Sequence, residues 1–522
     1  MSFVTVIRPP AIFNRRTHIA LITPPLGVAY LAAALREAGH TARIIDALGE
    51  GILHIGETSF PGLSYQGLPA EDIIKRIAPE TRLIAITAMF SQDWPCIEEL
   101  ITGIRRAFPD TPLIVGGEHA TATWQYILES CPGVTGVGLG EGEETICDLA
   151  KWADQGGELD TIPGIAYRRE GQAVTTGPRT RIRSVDDIPL PAWDLTPLEA
   201  YLDNSYSFGV DLGRSMPLLA TRGCPYRCTF CSSPLMWTTR YYMRSPGQVV
   251  DEIESYLHRY KTTNIDFYDL TAIIKKEWIL QFCDEILRRG LKFTWQLPTG
   301  TRSEALDGEA LPKLFAAGCR NLTYAPESGS DRTLQEIKKK VHLPRMIESM
   351  QAAKRAGLSL KCNLIIGFPK ERRVDVWRTL RFALKMAWLG VDDVPLYMFS
   401  PYPGTELYEY LRSNGAIPQM DNDYFRSLTC INDFSQSSRY CERISPLELN
   451  CYRIVGMMAF YAVSFLRHPS RLLRTIRHIW SRSPSTILEQ RLIELLRRRS
   501  LLKREQQLDY SLDAHRTPAA GG

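Results

Sequence analysis

Two long stretches of this 522-residue chain alternate short apolar runs with segments of helical period, and a proline-rich passage separates them. No other feature restricts the fold as much, because strand, helix and strand in succession pack as a parallel βαβ unit. In residues 1–150, "SFVTVIRPP", "TARIIDAL", "RLIAITAMF", "PLIVGGEHA" and "TGVGLGEGE" read as buried strands. "PLGVAYLAAALREAGH" reads as a helix: Pro25 sits at its start, Leu31, Leu35 and Ala38 recur at helical spacing, and Gly39 stops it. "EETICDLAKWA" reads as another. The pattern predicts an α/β fold whose first 150 residues form a doubly wound, Rossmann-like domain. Residues 151–210 read as a connector, with a hairpin in "GIAYRREGQAVTTGP" and a passage, "DDIPLPAWDL", too rich in proline for a continuous helix. A second alternation starts near Met216 and predicts a partial (β/α)6 barrel over residues 211–430, followed by a mostly helical, basic region over 431–522.

In both architectures ligands bind at the carboxyl ends of the strands. Those ends in the front domain carry Pro24–Gly27, Thr87–Ser91, Gly116–Thr121 and Gly138–Gly142. Glycines let backbone amides approach a large flat or anionic ligand, although a tight turn alone also favours them. Four such loops on one edge point to a ligand. A nicotinamide dinucleotide is disfavoured, since no G-x-G-x-x-G follows the first strand.

The strand-like "PLLAT" runs directly into "RGCPYRCTFCSSP", which spaces Cys224, Cys228 and Cys231 as C-x3-C-x2-C. Most of the twelve cysteines are scattered singly in apolar surroundings, as with Cys96, Cys147, Cys283 and Cys362, which favours reduced cytosolic thiols over a disulfide framework. The bunched trio suits a soft metal. Structural zinc wants a fourth ligand, and no further Cys or His lies nearby. A four-iron cluster also has four corners, and three cysteines leave one iron open for a reactant. Iron–sulfur is the favoured reading of these thiols, and zinc the other.

With Phe230 before the last cysteine, residues 215–430 resemble the radical S-adenosylmethionine (SAM) enzymes. The resemblance implies a [4Fe-4S] cluster on Cys224, Cys228 and Cys231. Its open iron would chelate the methionine part of SAM, which one electron from an external donor splits to a 5′-deoxyadenosyl radical. "NLTYAPESGS" is similar to the family's Glu–Ser–Gly element, implying that Glu327 and Ser328 bind the SAM amino or ribose groups; Glu327 could instead cap the helix starting near Ser330. "LIIGFPKE" implies adenine contacts from Ile365 and Gly367, and "YMFSPYPGTELY" a last strand near the adenine, with Tyr397. "FYDLTAII" lacks the paired acids of some relatives, so Asp269 is a weaker assignment.

The front domain, with "PPLGVAYLAAALREAGH" and "LIVGGEHAT", resembles the cobalamin-binding domain of the cobalamin-dependent radical SAM group. That implies Gly116, Gly117, His119 and Thr121 facing the corrin or its nucleotide tail, with Thr87, Met89 and Ser91 lining the lower side. Gly140, Glu141 and Gly142 would lie near the tail. The D-x-H-x-x-G motif is missing, and His18, His40 and His119 occur in other contexts, so cobalt is expected to lack a protein histidine below it and His119 to anchor a loop. The implied activity is a C-methyltransferase that moves a methyl group from SAM by way of methylcobalamin to an unactivated carbon of a lipid, isoprenoid or tetrapyrrole substrate. A cyclase, ring-contracting or oxygen-inserting enzyme with the same cofactors is one alternative; a non-enzymatic cobalamin and iron–sulfur sensor is another.

Arg467 to Arg504 holds eleven Lys or Arg against two Glu, so in a chain of net charge +4 the remainder is five charges negative. A wheel of "RLLRTIRHIW", residues 471–480, gathers Leu472, Leu473, Ile476, Ile479 and Trp480 on one arc and Arg471, Arg474, Arg477 and His478 on the other. "ILEQRLIELLRRRS" continues similarly, with a Glu494–Arg498 pair expected. Peripheral membrane contact through residues 467–504 suits this pattern; a helix packed on the barrel is the alternative. No RNA-binding module is recognisable, so nucleic acid is not expected. The longest apolar run, residues 454–466, is too short to span a bilayer, and the opening residues lack the basic start and cleavage site of a signal peptide. A cytoplasmic, membrane-associated protein is the expectation, with "AHRTPAAGG" disordered.

Overall fold

The computed structural model describes residues 1–15, 22–301, 305–431 and 436–496. His18, Arg498 with its expected pair to Glu494, the basic run 497–504 and the terminal "AHRTPAAGG" lie outside the described residues. Five parallel strands form the core of the first sheet: β1 (Phe3–Arg8), β2 (Thr41–Asp46), β3 (Leu83–Thr87), β4 (Leu113–Gly116) and β5 (Gly136–Gly138), in the order β2-β1-β3-β4-β5. The strand order reverses between β1 and β3, where such sheets open a ligand crevice. Alternate residues feed the two faces. Leu83 and Ala85 pack with α1 (Leu26–Glu37), while Ile84 and Ile86 pack with α2 (Trp94–Ala107) and α3 (Glu118–Ser130). α4 (Glu143–Gln155) lies beside α1.

The expected hairpin is present as β6 (Ile165–Arg169) and β7 (Gln172–Thr175), but it is no part of a separate connector. β6 pairs antiparallel with β5 and extends the sheet to seven strands. Without it, Gly136 and Val137 would form a bare apolar edge. The first domain therefore runs past residue 150. A three-stranded antiparallel sheet of Ala11–Asn14, Leu63–Gln66 and Ile55–Glu57 flanks it; these runs are too short to show a period in sequence.

The second sheet has six parallel strands in chain order: β8 (Ser215–Leu218), β9 (Asn264–Phe267), β10 (Thr294–Thr301), β11 (Cys319–Glu327), β12 (Ser359–Ile366) and β13 (Leu396–Met398). α5 (Pro246–Arg259), α6 (Lys276–Arg289), α7 (Ala310–Ala316), α8 (Leu343–Arg355) and α9 (Arg373–Leu389) follow successive strands. In β12, Leu360, Cys362, Leu364 and Ile366 are buried in the core shared with the helices, while Lys361, Asn363 and Ile365 take the other, less buried face. The connector closes the barrel base rather than merely spanning domains. Gly209 N–H donates to Asp266 (3.0 Å), and Val210 N–H to Gln296 (3.0 Å). From the other side, helical residues 487–496 direct the Ile487 N–H at Asp393 (2.8 Å).

Two C-terminal helices follow, α10 (Pro446–Arg467) and α11 (Pro469–Ser481). Counting unbroken apolar residues underrates α10: its 22 residues are long and apolar enough to cross a membrane, with 28% of its apolar window buried. It lies along the barrel instead, through Leu449, Arg453, Gly456, Phe460 and Ser464. A Cβ on Gly456 would meet Leu380 at 2.5 Å. α11 combines the two expected readings, since it packs on the barrel through its arginines and keeps an apolar face outward. Arg471 and Arg474 turn inward to the buried Asp392, each at 3.3 Å, and the apolar arc faces out.

Candidate functional site

The cysteine loop leaves β8 through Thr221–Arg222, which pairs with Tyr242–Met243. Gly223 has φ +92° and a Cβ there would lie 2.1 Å from the Arg240 carbonyl oxygen, so only glycine turns this corner. Cys224, Cys228 and Cys231 are partly exposed. Cys231 N–H donates to the Cys228 carbonyl (3.1 Å), Thr229 N–H donates to the Ile337 carbonyl (3.0 Å), and Leu407 N–H donates to the Thr229 carbonyl (3.0 Å). The Phe230 ring packs 5.8 Å from that of Phe368, tying the loop to the turn at Gly367. Burial pushes the Cys231 thiol up to about 12, and the neighbouring Glu118, Cys228 and Cys224 add to it. A bound cationic centre relieves that charge crowding. Among the described residues no three donors converge as on a single ion. Three thiols within eight residues suit a [4Fe-4S] cubane, which takes one thiolate on each of three irons.

Glu327 ends β11 with a left-handed backbone, φ +69°, uncommon for a residue with a side chain. Its carboxylate pairs with Lys339 at 2.9 Å, and Ser330, not Glu327, caps the next helix. Ser328 departs from its expected role. It is fully buried, its hydroxyl lies 2.9 Å from that of Thr379, and it accepts from the Ser330 N–H. It anchors β11 to α9 and its hydroxyl is not presented to a ligand. Ile365 and Tyr397 are register partners across β12 and β13 on the less buried face. Gly367, φ +89°, donates its N–H to Glu371 (2.6 Å), whose carboxyl burial raises to about 8. Asp269 accepts from the Ala220 N–H and the Thr221 hydroxyl, fixing the chain that enters the cysteine loop.

A cavity of about 330 Å³ spans the two domains. Thr87, Met89, Gly116, Gly117, Gly140, Glu141 and Gly142 line it from the first, and Arg222, Gly223, Trp237, Tyr268 and Leu270 from the second. A Cβ on Gly27 would meet no atom within 4 Å, and those on Gly116 and Gly138 nothing nearer than 4.0 Å, although all three glycines border the cavity. That empty cradle fits a large flat ligand approached by backbone. Thr121 lines an adjoining cavity of about 260 Å³ and accepts from the Gly140 N–H at 3.1 Å. Ser91 and His119 lie behind the cavity wall. The His119 Nδ1 is 2.9 Å from the Ser91 hydroxyl and its Nε2 3.3 Å from that of Thr123, with Trp94 and Phe425 against the ring. Burial holds the imidazole down at about 3. With both nitrogens engaged, His119 anchors the loop and does not border the cavity; His40 and His54 do not border it either.

Glu141 lines the cavity, but its carboxylate is committed elsewhere. It receives Arg181 (2.9 Å), Arg222 (3.2 Å) and the Ile182 N–H (3.1 Å). Arg222 also meets Glu143 at 2.6 Å and lies over the rings of Tyr30 and Trp237. This buried cluster joins the first domain to the strand immediately before the cysteines. Sequence reading missed Arg181, Arg222, Lys339 and Glu118, whose carboxyl accepts from Ser232 beside Cys231. Only Glu118 had a signal, its place directly after the Gly116–Gly117 pair.

The family model for the radical SAM superfamily matches residues 218–383, and that for the B12 binding domain residues 15–150. An uncharacterized methyltransferase of Pyrococcus horikoshii is 29% identical over 91% of this chain and 94% of its own length. An anaerobic magnesium-protoporphyrin IX monomethyl ester cyclase of Cereibacter sphaeroides is 28% identical over 76% of this chain; the match spans 61% of that protein. The radical SAM methyltransferase TsrM from Kitasatospora setae, solved with cobalamin and a [4Fe-4S] cluster, shares the fold with a TM-score of 0.61, 19% identity, and coverage of 80% of this chain and 79% of that one.

Proposed function

Because the chain belongs to the cobalamin-dependent radical SAM enzymes, we propose that it methylates an unactivated carbon of a lipid, isoprenoid or tetrapyrrole substrate. The shared cavity carries this reading: the glycine cradle of the first domain and the end of the barrel that bears the cysteines open into the same space. When bound, the cluster and SAM supply a carbon-centred radical, and cobalamin supplies the methyl group. The protein's own work is to hold its cofactors at one cavity and keep water out of it. Arg222, fixed by Glu141 and Glu143, locks the two domains across that cavity. Phe230 against Phe368 holds the cysteine loop to the turn at Gly367. Glu327, oriented by Lys339, is suited to accept from an ammonium group at the strand end. Excluding solvent from the cavity requires these contacts to hold both halves of the site rigidly.

The test is anaerobic reconstitution with an external electron donor, followed by incubation of lipid and tetrapyrrole extracts with methyl-labelled SAM. A product heavier by one CH2 and carrying the label is expected. A new ring or oxygen without label would identify the cyclase or oxygen-inserting alternative, which the magnesium-protoporphyrin cyclase relative keeps in view. Cleavage of SAM to 5′-deoxyadenosine would exclude a purely sensing role.

A further inference from the structure

α10 and α11 each present an apolar stripe away from the protein. Along α10, Leu447, Cys451, Val455, Met458, Ala462 and Leu466 recur at intervals of three and four and are all exposed, with Leu466 at 84%. That stripe contains no charge and runs roughly 28 Å at 1.5 Å per residue. On α11 the outward residues are Leu473, Ile476 and Trp480, the last 88% exposed. α9 packs beside α10 and adds Trp377 and Trp388, each 59% exposed. The Arg467 guanidinium lies 4.9 Å above the Trp388 ring. Contiguous exposed apolar surface of this extent marks an interaction site.

Charge narrows the occupant. Arg378, Arg381 and Lys385 on α9, Arg467 at the end of α10, and Arg477 and Arg482 around the end of α11 are exposed at the rim of this face. On these three helices the acidic residues are Asp375, wholly buried, and Glu448, paired to Arg373 at 2.7 Å. An apolar floor with tryptophans and a rim of cations without exposed acids complements an anionic bilayer surface. The helices cannot insert across it, because Arg453 in the middle of α10 is buried in the protein, bonded to the Cys430 and Gln436 carbonyls. We infer that the outward face of α9, α10 and α11 docks this protein in the plane of an anionic membrane surface, with Arg471 and Arg474 of α11 serving the fold and not the lipid. The inference stands apart from the reaction proposed above, and its test needs no turnover.

The full chain is floated with phosphatidylcholine vesicles containing about one third phosphatidylglycerol, and with phosphatidylcholine alone. The wild type should float with the anionic vesicles and much less with the neutral ones. Val455→Asp combined with Met458→Asp and Leu473→Asp changes exposed side chains only, and should lower the bound fraction about tenfold with unchanged circular dichroism. Arg381→Glu with Lys385→Glu and Arg477→Glu should abolish the preference for anionic lipid. Failure of the wild type to float overturns the inference, as does equal flotation of the aspartate variant. A wild type that is dimeric without lipid, and monomeric with those aspartates, while neither floats, would make the face a contact between copies and also overturn it.

Discussion

Arg222→Ala tests whether the interdomain charge cluster holds the two halves of the cavity together. The Arg222, Glu141 and Glu143 side chains are only 3%, 6% and 11% exposed, so solvent cannot replace a lost partner. Glu141 keeps Arg181 at 2.9 Å, but Glu143 loses the guanidinium at 2.6 Å. Orphaning one member of such a pair costs about 3–5 kcal/mol, and the lost contacts to Tyr30 and Trp237 add about 0.5–1 kcal/mol each. The pH dependence carries its own sign. Burial works to raise the Glu143 carboxyl, yet the charge and hydrogen bond of Arg222 outweigh it and hold the carboxyl below its ordinary 4.5. Its contribution to wild-type stability is thus present above pH 4.5 and lost as pH falls below it. In Arg222→Ala only the backbone N–H groups of Gly142 and Glu143 still oppose burial, the carboxyl rises, and the deficit against wild type should grow from acid toward neutral pH. Arg222→Met with Glu143→Leu removes both charges and should recover most of the loss. Urea unfolding followed by tryptophan fluorescence and by circular dichroism measures this; coincident transitions license a single free energy. A deficit under about 1 kcal/mol, or one independent of pH, would refute the latch.

Each single change Cys224→Ala, Cys228→Ala or Cys231→Ala should leave the fold intact and abolish the cluster absorbance after anaerobic reconstitution, since two thiolates on this loop do not hold a cubane. Gly27→Ala should raise stability by up to about 1 kcal/mol, because it sits in α1 with open space at its Cβ, while weakening cobalamin uptake in equilibrium dialysis; Gly116→Val should fold and lose most of that uptake. His119, held at about 3 by burial, should make the protein less stable as pH falls below the imidazole's ordinary 6.5, at up to about 1.4 kcal/mol per pH unit. Thermal melts of His119→Phe should lack this acid dependence. In the wild type loaded with cobalamin, EPR should show no nitrogen coupling from an axial protein base.

The strands, the glycine-bearing ends and the cysteine trio were legible because each is a local pattern: period two, a missing side chain, a fixed spacing. What could not be read was the partner each polar side chain finds across the fold. Glu141 sits in a ligand-binding loop, but its carboxylate turns to Arg181 and Arg222, 40 and 81 residues away. Ser328 likewise meets Thr379, 51 residues on. The hairpin at 165–175 was visible, while its attachment to β5 depended on an edge that only the folded sheet defines.

α11 makes the same point at the scale of a whole helix. A helical wheel divides its residues into a cationic and an apolar arc, and the usual expectation buries the apolar one. The arrangement here is reversed because the barrel presents Asp392, wholly desolvated and already bonded to Lys354 and the Leu360 N–H, at the point where α11 lands. Arg471 and Arg474 add to Lys354 in offsetting the desolvation of this carboxylate, and Leu473, Ile476 and Trp480 stay exposed as a result. The arginines are therefore drawn inward. The apolar arc is left facing out beside α10, which makes an anionic surface, rather than water, its suitable environment.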